Sequence, residues 1–420
     1  MILSYNDSRS APADTCKTGC KMAAIRKYRW TTGKGEPREA WQVDFRDQEG
    51  RRRHKQFRLK KDADAWLNRA RAQVDAGTFM AESDSPTVLE AVEAWITRGE
   101  AERLERSTIR QRRQHKAHIL DVLNGSTRLA RISLASLEKA RDDLLLRHSR
   151  STARKIIVSL RAILRQAKAV HLATADLAIK GGARHRKRLE VGVDIPTHDE
   201  VKALAETASG KALALICLAL AGLRASEVRG LRWADLDLGT TRAVTVSQRA
   251  DRWSEIGSPK SATSRRTIPL GESAVQALKS WKLAQPPIAY REDGEKRQRA
   301  PTLVFGTGKD RPDGLANLRR RILEPLAIEA GVTVPARDDA GKPVKDKEGK
   351  PVMRPKYGGL HCLRHYAVST WLRTCGGDFK QVQAWAGHAT LAITLDTYGH
   401  LIPRKDGHEI MRAIERDLFG

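Results

Sequence analysis

Apolar and polar residues alternate in two short stretches near the start of the chain. Residues 41–45 (WQVDF) and residues 55–59 (KQFRL) each place an apolar side chain at every second position. A period of two puts those side chains on one face, so both stretches are predicted to be half-buried strands. Residues 47–50 (DQEG) are rich in turn formers, and the two strands are therefore predicted to form a hairpin.

The hydrophobic period becomes helical after the hairpin. Asp62 is predicted to cap a helix. The apolar residues on one face of this helix are Ala65, Trp66, Ala70 and Val74. We assign the sheet and helix to a small domain at residues 24–82. Residues 1–23 are expected to be a disordered tail, in which Met22 is an alternative start.

A helical pattern then continues from Thr87 to about Leu177. One apolar stripe consists of Val88, Ala91, Val92 and Trp95, and a later one of Ile156, Leu160, Ile163, Leu164 and Ala167. Stripes of this spacing are typical of amphipathic helices that share a core. The residue types needed for chemistry are missing here, so residues 86–180 are predicted to be a helical binding module.

The third domain is assigned to residues 192–420, after a basic linker at residues 180–188 (KGGARHRKR). Its first helix is predicted to begin after Thr197, because Glu200 three residues later completes a capping box. Residues 337–357 are polar and rich in turn formers, and they are expected to form an extended hairpin or loop insertion. Gly341 and Gly349 are the candidate turn residues.

The charge balance indicates that this protein binds a polyanion. Lys and Arg number 77 against 50 Asp and Glu, which gives a formal net charge of +27. A surplus of this sign favours nucleic acid as the partner. A surplus that only aids solubility, or affinity for a membrane surface, would also fit the charge taken alone.

Two other classes are disfavoured by the sequence. It has no stretch of about 18 apolar residues that could span a bilayer, and no basic segment followed by an apolar one that would make a secretory signal. The five cysteines are odd in number, and neither they nor the histidines have the spacing of a zinc site. We therefore expect a cytoplasmic protein without a metal or another cofactor.

Basic residues of the first two domains are the candidates for contact with DNA, although a basic run is also often only a solvated face. In the sheet domain they cluster on the second strand of the hairpin, and in the helical module on two helices. They are Arg51, Arg52, Arg53, Lys55, Arg58, Arg110, Arg113, Lys116, Arg161 and Arg165.

Four segments of the third domain contain residues whose chemistry fits together. They are residues 221–233 (AGLRASEVRGLRW), 258–270 (SPKSATSRRTIPL), 359–365 (GLHCLRH) and 385–400 (WAGHATLAITLDTYGH). Each segment alone is a weak signal, because a single Arg, Lys, His or Tyr usually pairs or packs on a surface. The four in this order are a strong signal.

This order resembles the tyrosine recombinase, or phage integrase, family. Arg224 matches the first family arginine, Lys260 the hairpin lysine, and His361 with Arg364 the H-x-x-R pair. His388 matches the fifth active-site position and Tyr398 the nucleophile. The sequence departs from the usual pattern in having Ala386 where Leu commonly precedes Gly-His, and in the length of the insertion before His361.

The roles of these residues can be argued from phosphodiester chemistry. Arginine forks bind two oxygens at once and stay protonated, so Arg224 and Arg364 suit the non-bridging oxygens of a phosphate. A tyrosine such as Tyr398 gives a covalent phosphotyrosine that stores the energy of the broken bond without ATP or metal. Lys260 could protonate the leaving 5′-oxygen. His361 could serve as a general base or as a phosphate ligand, and His388 as a donor to the phosphoryl oxygen.

The resemblance implies a mainly α fold with small β-sheets: a three-stranded sheet with a helix that binds arm sites, a helical core-binding domain, and a mostly helical catalytic domain. It also implies double-stranded DNA as substrate, a homotetramer on that DNA, integration or excision of a prophage or other mobile element in a bacterial host, and an accessory DNA-bending or directionality protein as a further partner. The amphipathic residues 409–420 would dock on a neighbouring protomer or pack within their own chain.

Three other functions compete with this interpretation. A type IB topoisomerase would share the chemistry, but the separate basic domains upstream favour a recombinase. A transcriptional regulator would leave the catalytic set unexplained, and a metal-dependent nuclease or transposase would need clustered carboxylates. For the nucleophile itself, Tyr357 and Tyr366 are rivals within or beside the motifs, and Tyr290 lies outside them.

Overall fold

The structure is a computed structural model that describes residues 23–33, 35–77, 79–167, 169, 177, 188–259, 262–293, 295–402 and 407–419. The chain divides into two compact units, Met1–Ala183 and Arg184–Gly420. The predicted tail at residues 1–23 lies outside the described residues except for Ala23. The basic linker at residues 180–188 also lies outside them except for Arg188.

The first unit begins with a three-stranded antiparallel sheet and one helix. The strands pair in the order β1-β2-β3, with Trp41 opposite both Lys27 and Phe57. The elements are β1 (Ala24–Thr31), β2 (Pro37–Arg46), β3 (Arg52–Phe57) and α1 (Lys60–Asp75). Val43, Phe45 and Leu67 are buried between the sheet and α1. The predicted hairpin is confirmed, and β1 completes the sheet.

The predicted start of α1 is wrong by three residues, nearly one turn. The residue before the helix is Leu59, whose side chain makes no capping bond, and Asp62 lies within the first turn. The buried face runs through Ala63, Leu67 and Ala70, and Ala65 is exposed. The helix can start without a side-chain cap because its apolar face packs on the sheet, and such packing contributes more to helix stability than the cap does.

In the described residues of the first unit, four helices and a short 3-10 turn (Leu129–Arg131) follow the sheet domain. The helices are α2 (Val88–Ala101), α3 (Arg106–Val122), α4 (Leu134–Arg147) and α5 (Arg150–Gln166). The hydroxyl of Thr87 and the carboxylate of Glu90 form a capping box at the start of α2. The helices bury their own apolar cluster, separate from that of the sheet. These two clusters support our proposed division between residues 24–82 and 86–180.

The second unit consists of helices around an apolar core, with short antiparallel strands at its surface. Its helices are α6 (His198–Thr207), α7 (Gly210–Leu220), α8 (Ala225–Gly230), α9 (Glu272–Ala284), α10 (Leu315–Leu318), α11 (Glu324–Glu329), α12 (Leu360–Thr374), α13 (Phe379–Ala386), α14 (Leu391–Tyr398) and α15 (Gly407–Phe419). The capping box predicted for Thr197 and Glu200 is present at the start of α6. A π-helical turn (Arg319–Leu323) joins α10 to α11.

The strands of the second unit are all short. They are β4 (Leu236–Asp237), β5 (Ala243–Val246), β6 (Arg249–Ala250), β7 (Ile256–Gly257), β8 (Arg266–Pro269), β9 (Ile288–Glu292), β10 (Glu295–Arg299), β11 (Thr333–Pro335) and β12 (Met353–Pro355). β4, β5 and β8 form one sheet, and the others pair two by two. This composition of helices and small antiparallel sheets confirms the predicted fold class. None of the described helices is long and apolar enough to cross a membrane.

The predicted insertion at residues 337–357 follows β11 and includes β12, and the same kind of turn occurs in it twice. The Asp338 carboxylate accepts hydrogen bonds from the backbone N–H groups of residues 340 and 342, and the Asp346 carboxylate from those of residues 348 and 350. Gly341 and Gly349 have φ of +79° and +77°, the left-handed backbone that glycine adopts without strain. Both are turn residues, as the sequence predicted.

Candidate active site

A tight turn after the buried helix α7 brings Arg224 to the site. Gly222 has φ of +76°, and a Cβ there would lie 2.4 Å from the ring of Trp371 on α12. Only glycine fits both the backbone and the space. Arg224 follows as the residue before α8, and its guanidinium donates to the Gly387 carbonyl at 2.6 Å.

Glu227 lies at the centre of a buried ion-pair network. Its carboxylate, 3% exposed, accepts hydrogen bonds from the backbone N–H and the guanidinium of Arg224, both at 2.8 Å, and two from Arg266 at 3.0 and 2.8 Å. Burial acts to raise the pKa of this carboxyl, but the hydrogen bonds and charges of the two arginines outweigh it and hold the pKa below its usual range. Glu227 therefore stays ionised and fixes both guanidinium groups.

Arg266 ties the β8 strand to this network. Its Nε donates to the Trp385 carbonyl at 2.6 Å, and its side chain is 5% exposed. Arg266 lies within the second of the four segments, but its residue type alone does not indicate this role. Arg266 aligns the strand that follows residue 260 with the end of α13, so it is a structural part of the site.

Arg364 is a buried guanidinium held by carbonyl oxygens. It lies on α12, is 2% exposed, and donates to the carbonyls of Gly222 and Ala386, the second at 2.5 Å. Burial and the charge of Arg224 lower its pKa to about 10. Carbonyls orient the group without cancelling its charge, which leaves a positive potential in the site.

His388 is placed by a left-handed turn at the end of α13. Gly387 has φ of +60°, and a Cβ at this position would lie 3.0 Å from the Arg266 guanidinium. The His388 ring contacts Arg364 through Nε2 at 3.2 Å and the Thr394 hydroxyl through Nδ1 at 2.9 Å. Burial, followed by the charges of the arginines, lowers the pKa of His388 to about 4, so its ring is neutral at neutral pH.

Tyr398 ends α14 with its hydroxyl inside the site. The residue is 2% exposed, and its ring stacks on the His388 ring at 6.3 Å between centroids. Its hydroxyl lies 2.7 Å from Nδ1 of His365. Burial raises the pKa of the phenol to about 12, although the charges of Arg364 and Arg224 act in the opposite direction. The phenol is therefore protonated near neutral pH.

His361 and His365 lie one turn apart on α12, with ring centroids 4.3 Å apart in an edge-to-face arrangement. His361 is the more exposed of the two. Its pKa is lowered by burial and by the charges of Arg364 and Arg224. In the described part of the chain the Tyr398 hydroxyl contacts His365, a residue to which the sequence motifs give no role. Its signal was the spacing, since it follows Arg364 directly and His361 by four residues.

Lys260 lies outside the described residues, so its predicted role stays a prediction. Pro259 before it and a 3-10 turn, Ala262–Ser264, after it connect β7 to β8. Both ends of this connection belong to the second unit. Ser264 is within the site, since its carbonyl accepts a hydrogen bond from Arg266 at 2.9 Å.

The rival tyrosines are engaged elsewhere or exposed. The Tyr357 hydroxyl donates to the Glu200 carboxylate at 2.6 Å, and burial and that carboxylate raise its pKa. The Tyr366 hydroxyl contacts Nδ1 of His198 at 2.9 Å. Tyr290 lies on β9 with 38% of its surface exposed. Among these, Tyr398 is the tyrosine that lies with the predicted arginines and histidines.

An open cleft of about 470 Å³ gives access to the site. Arg224, Glu227, Pro259, Ser264 and His388 are among its lining residues. A positively charged cleft with fixed donors suits an anionic group such as a phosphodiester. The described residues contain no cluster of three or more His, Cys, Asp or Glu side chains that could hold a metal ion.

The basic residues predicted to contact DNA on β3 are divided between two faces. Arg53 and Lys55 lie on the side of α1: Arg53 pairs with Asp47 at 2.8 Å and with Asp84, and Lys55 lies 5.4 Å from the Trp66 ring. Arg52 alternates to the outer face, where 67% of its side chain is exposed. Arg51 and Arg58 are exposed at either end of the strand.

In the helical module the predicted cations lie mostly at the surface. On α3, Arg113 pairs with Glu100 at 2.7 Å, Lys116 pairs with Glu93, and Arg110 is exposed. On α5, Arg165 is exposed and Arg161 is half-buried. Several of these cations already have an acidic neighbour, so DNA would compete with that neighbour for the charge.

Comparison with known proteins agrees with the arrangement of the second unit. Residues 196–404 match the model described as "Phage integrase family". A curated relative named "Tyrosine recombinase XerC-like", from Caldanaerobacter subterraneus subsp. tengcongensis, is 27% identical over 249 residues, which are 56% of this chain and 56% of the relative. The chain thus spans about half the length of the curated relatives it matches.

Two solved structures share the fold over most of the chain. The Tn1549 transposon integrase, in complex with transposon right end DNA, aligns with a TM-score of 0.56 and 18% identity over 79% of this chain and 99% of that chain. A lambda integrase tetramer bound to a Holliday junction aligns with a TM-score of 0.51 and 15% identity, over 91% of this chain and 97% of that chain. At these identities the likeness is one of fold.

Proposed function

We propose that the protein is a site-specific DNA recombinase acting through a covalent 3′-phosphotyrosine at Tyr398, because residues 196–404 match the phage integrase family. The reaction would cut and rejoin duplex DNA without metal or ATP. Its biological setting would be the integration or excision of a prophage or another mobile element in a bacterial cell.

The observation that carries this proposal is the convergence of Arg224, Arg364, His388 and Tyr398. They come from three separate regions of the sequence, yet the Arg224 guanidinium contacts the Gly387 carbonyl and the Arg364 guanidinium contacts the His388 ring. A surface ion pair would not need two guanidinium groups aimed by carbonyl oxygens next to a buried tyrosine. Stabilising the pentavalent phosphorane that forms during phosphoryl transfer would need them.

In the proposed step the Tyr398 oxygen attacks phosphorus and passes its proton to a histidine of α12, while the bond from phosphorus to the 5′-oxygen breaks. Arg224 and Arg364 stabilise the charge on the non-bridging oxygens, and His388 donates to one of them. The 5′-oxygen takes a proton from Lys260. Rejoining reverses each transfer, with a 5′-hydroxyl as the nucleophile.

The upstream domains would hold the DNA. Exposed cations on the outer face of the sheet and on α3 and α5 support a role in binding arm and core sites. The exchange of strands between two duplexes needs four active sites, so a homotetramer on DNA is part of the proposal. The exposed apolar residues of α15, Met411, Leu418 and Phe419, support contact with a further protomer. An accessory DNA-bending or directionality protein remains a prediction.

Trapping of the covalent intermediate tests the function directly. The full chain is incubated in EDTA with a pool of nicked duplexes of randomised sequence, in which cleavage next to the nick releases a short fragment and prevents rejoining. We expect a protein–DNA adduct on denaturing gels, and the DNA recovered from it identifies the cleaved sequence. Tyr398→Phe should abolish the adduct.

The matched control is Tyr366→Phe, which removes a nearby hydroxyl on α12 and should leave the adduct in place. An adduct that persists in Tyr398→Phe would overturn the choice of nucleophile. A strict need for magnesium would overturn the mechanism. Recovered DNA without any common sequence, together with relaxation of supercoiled plasmid, would favour a topoisomerase instead.

A further inference from the structure

We propose that His365, through Nδ1, is the base that accepts the proton of the Tyr398 hydroxyl when that oxygen attacks DNA, and the acid that returns the proton on rejoining. This inference rests on the function proposed above and assigns a residue that the four motifs left without a role. It moves the proton acceptor from His361, which the sequence also allowed, to the next histidine on the same helix.

The geometry singles out His365. Its Nδ1 lies 2.7 Å from the Tyr398 oxygen, which is hydrogen-bond distance. The helix α12 holds His365 on the face that packs against α14, where Tyr398 is 2% exposed. His361 lies one turn earlier on α12 and is more exposed, so it is better placed to meet the DNA than the buried hydroxyl.

The charges around His365 favour a neutral ring that can accept a proton. Burial, followed by the charges of His361 and Arg364 on the same helix, lowers the pKa of His365 to about 4, and the Asp194 carboxylate acts in the opposite direction. The His388 ring, whose centroid lies 6.3 Å from that of the Tyr398 ring, is also neutral at neutral pH. Asp194 would stabilise the imidazolium that forms during the reaction.

A base is needed because the site keeps the phenol protonated. Burial raises the pKa of Tyr398 to about 12, so few molecules carry a phenolate at neutral pH. In the proposed step the Tyr398 proton moves to Nδ1 while the oxygen–phosphorus bond forms, and Lys260 separately protonates the leaving 5′-oxygen. No further reactant is required.

The first test needs no DNA. The full chain is labelled with ¹⁵N-histidine, and the ring resonances of His365 are assigned by comparison with His365→Asn. We expect an unprotonated Nδ1 and a protonated Nε2 at pH 7, with a change in the Nδ1 resonance in Tyr398→Phe. A protonated Nδ1 would overturn the proposal, because that nitrogen could not then accept a proton.

The second test measures the rate of adduct formation with a DNA recovered from the trapping experiment. His365→Ala should slow cleavage by about 10²- to 10⁴-fold. Replacing Tyr398 in that variant by a fluorinated tyrosine, whose phenol is more acidic, should restore on the order of tenfold. The rate of His365→Ala should also rise with pH across the neutral range, while that of the unmodified chain stays flat.

The matched control is His361→Ala, which removes the neighbouring imidazole on the same helix. It is expected to slow cleavage without rescue by the fluorinated tyrosine. Rescue of His361→Ala and not of His365→Ala would overturn the assignment. A wild-type chain that forms no adduct would refute the proposed function, whereas a His365→Ala chain that cleaves as fast as wild type would refute this inference alone.

Discussion

The arginines of the candidate active site and those of the amino-terminal sheet are held in opposite ways. Arg364 is 2% exposed and donates to the carbonyls of Gly222 and Ala386. Arg52 is 67% exposed and lies 3.5 Å from the Asp44 carboxylate. The buried charge of Arg364 is oriented by carbonyl oxygens but not neutralised, whereas the exposed charge of Arg52 is partly neutralised by a carboxylate.

This difference separates two ways of using a cation on DNA. An exposed arginine gains affinity by displacing counterions from phosphates, and its exact position matters little. A buried arginine aimed by carbonyls contributes most when negative charge develops at one point. Burial, followed by the charges of neighbouring arginines, lowers the pKa of both His388 and Arg364.

The largest effect that would distinguish the two regions is expected from a substitution of Glu227. Glu227→Gln would leave Arg266 buried without a full counter-charge, so we expect a loss of about 3–5 kcal/mol in the free energy of unfolding. Urea unfolding followed by tryptophan fluorescence measures it, since Trp371 and Trp385 lie next to the network. Glu39→Gln on β2, whose partners are exposed, should leave the urea midpoint unchanged. Equal shifts in the two variants would contradict the distinction between the two regions.

The second-largest effect is expected for Arg364→Lys, which separates the orientation of the guanidinium group from its positive charge. Lysine keeps the positive charge but cannot donate to two carbonyls and bind two phosphate oxygens in one plane. We expect single-turnover cleavage to fall by about 10²- to 10³-fold, with little change in the affinity for DNA. The control, Arg52→Lys on the sheet, should cleave at the rate of the unmodified chain. A small effect at Arg364 would mean that its charge alone is enough.

The sequence predicted which residues come together in the candidate site better than it predicted the contacts that support them. The sequence identifies these residues because the chemistry restricts their types and the motifs restrict their order. They are Arg224, His361, Arg364, His388 and Tyr398. The ion pair between Arg266 and Glu227 joins residues 39 positions apart in the sequence. The Arg364 guanidinium donates to main-chain carbonyls, which every residue type has and which the sequence therefore cannot identify. The contact between His365 and Tyr398 depends on how α12 and α14 pack, which the local pattern does not specify.

The sheet domain illustrates a second limit of prediction from the sequence. Its period of two was visible, and it predicted the hairpin correctly. The same period also divides the basic residues of β3 between two faces, which a count of charges along the sequence does not reveal. The start of α1 at Lys60 rather than after Asp62 has a similar cause, because packing of Ala63 and Leu67 on the sheet outweighs a side-chain cap.

The smallest expected effect separates those two faces. Arg52→Gln removes an exposed cation of the outer face, so the slope of log affinity against log salt should become shallower by about 0.9 if Arg52 contacts one phosphate. Arg53→Gln removes a cation that is paired with Asp47 and Asp84 on the side of α1, so the slope should stay unchanged. Fluorescence anisotropy with the full chain and a mixed-sequence duplex at several salt concentrations gives both slopes. If Arg53→Gln changed the slope and Arg52→Gln did not, DNA would have to displace the Asp47 and Asp84 carboxylates, and the inner face of the sheet would be the one that meets DNA.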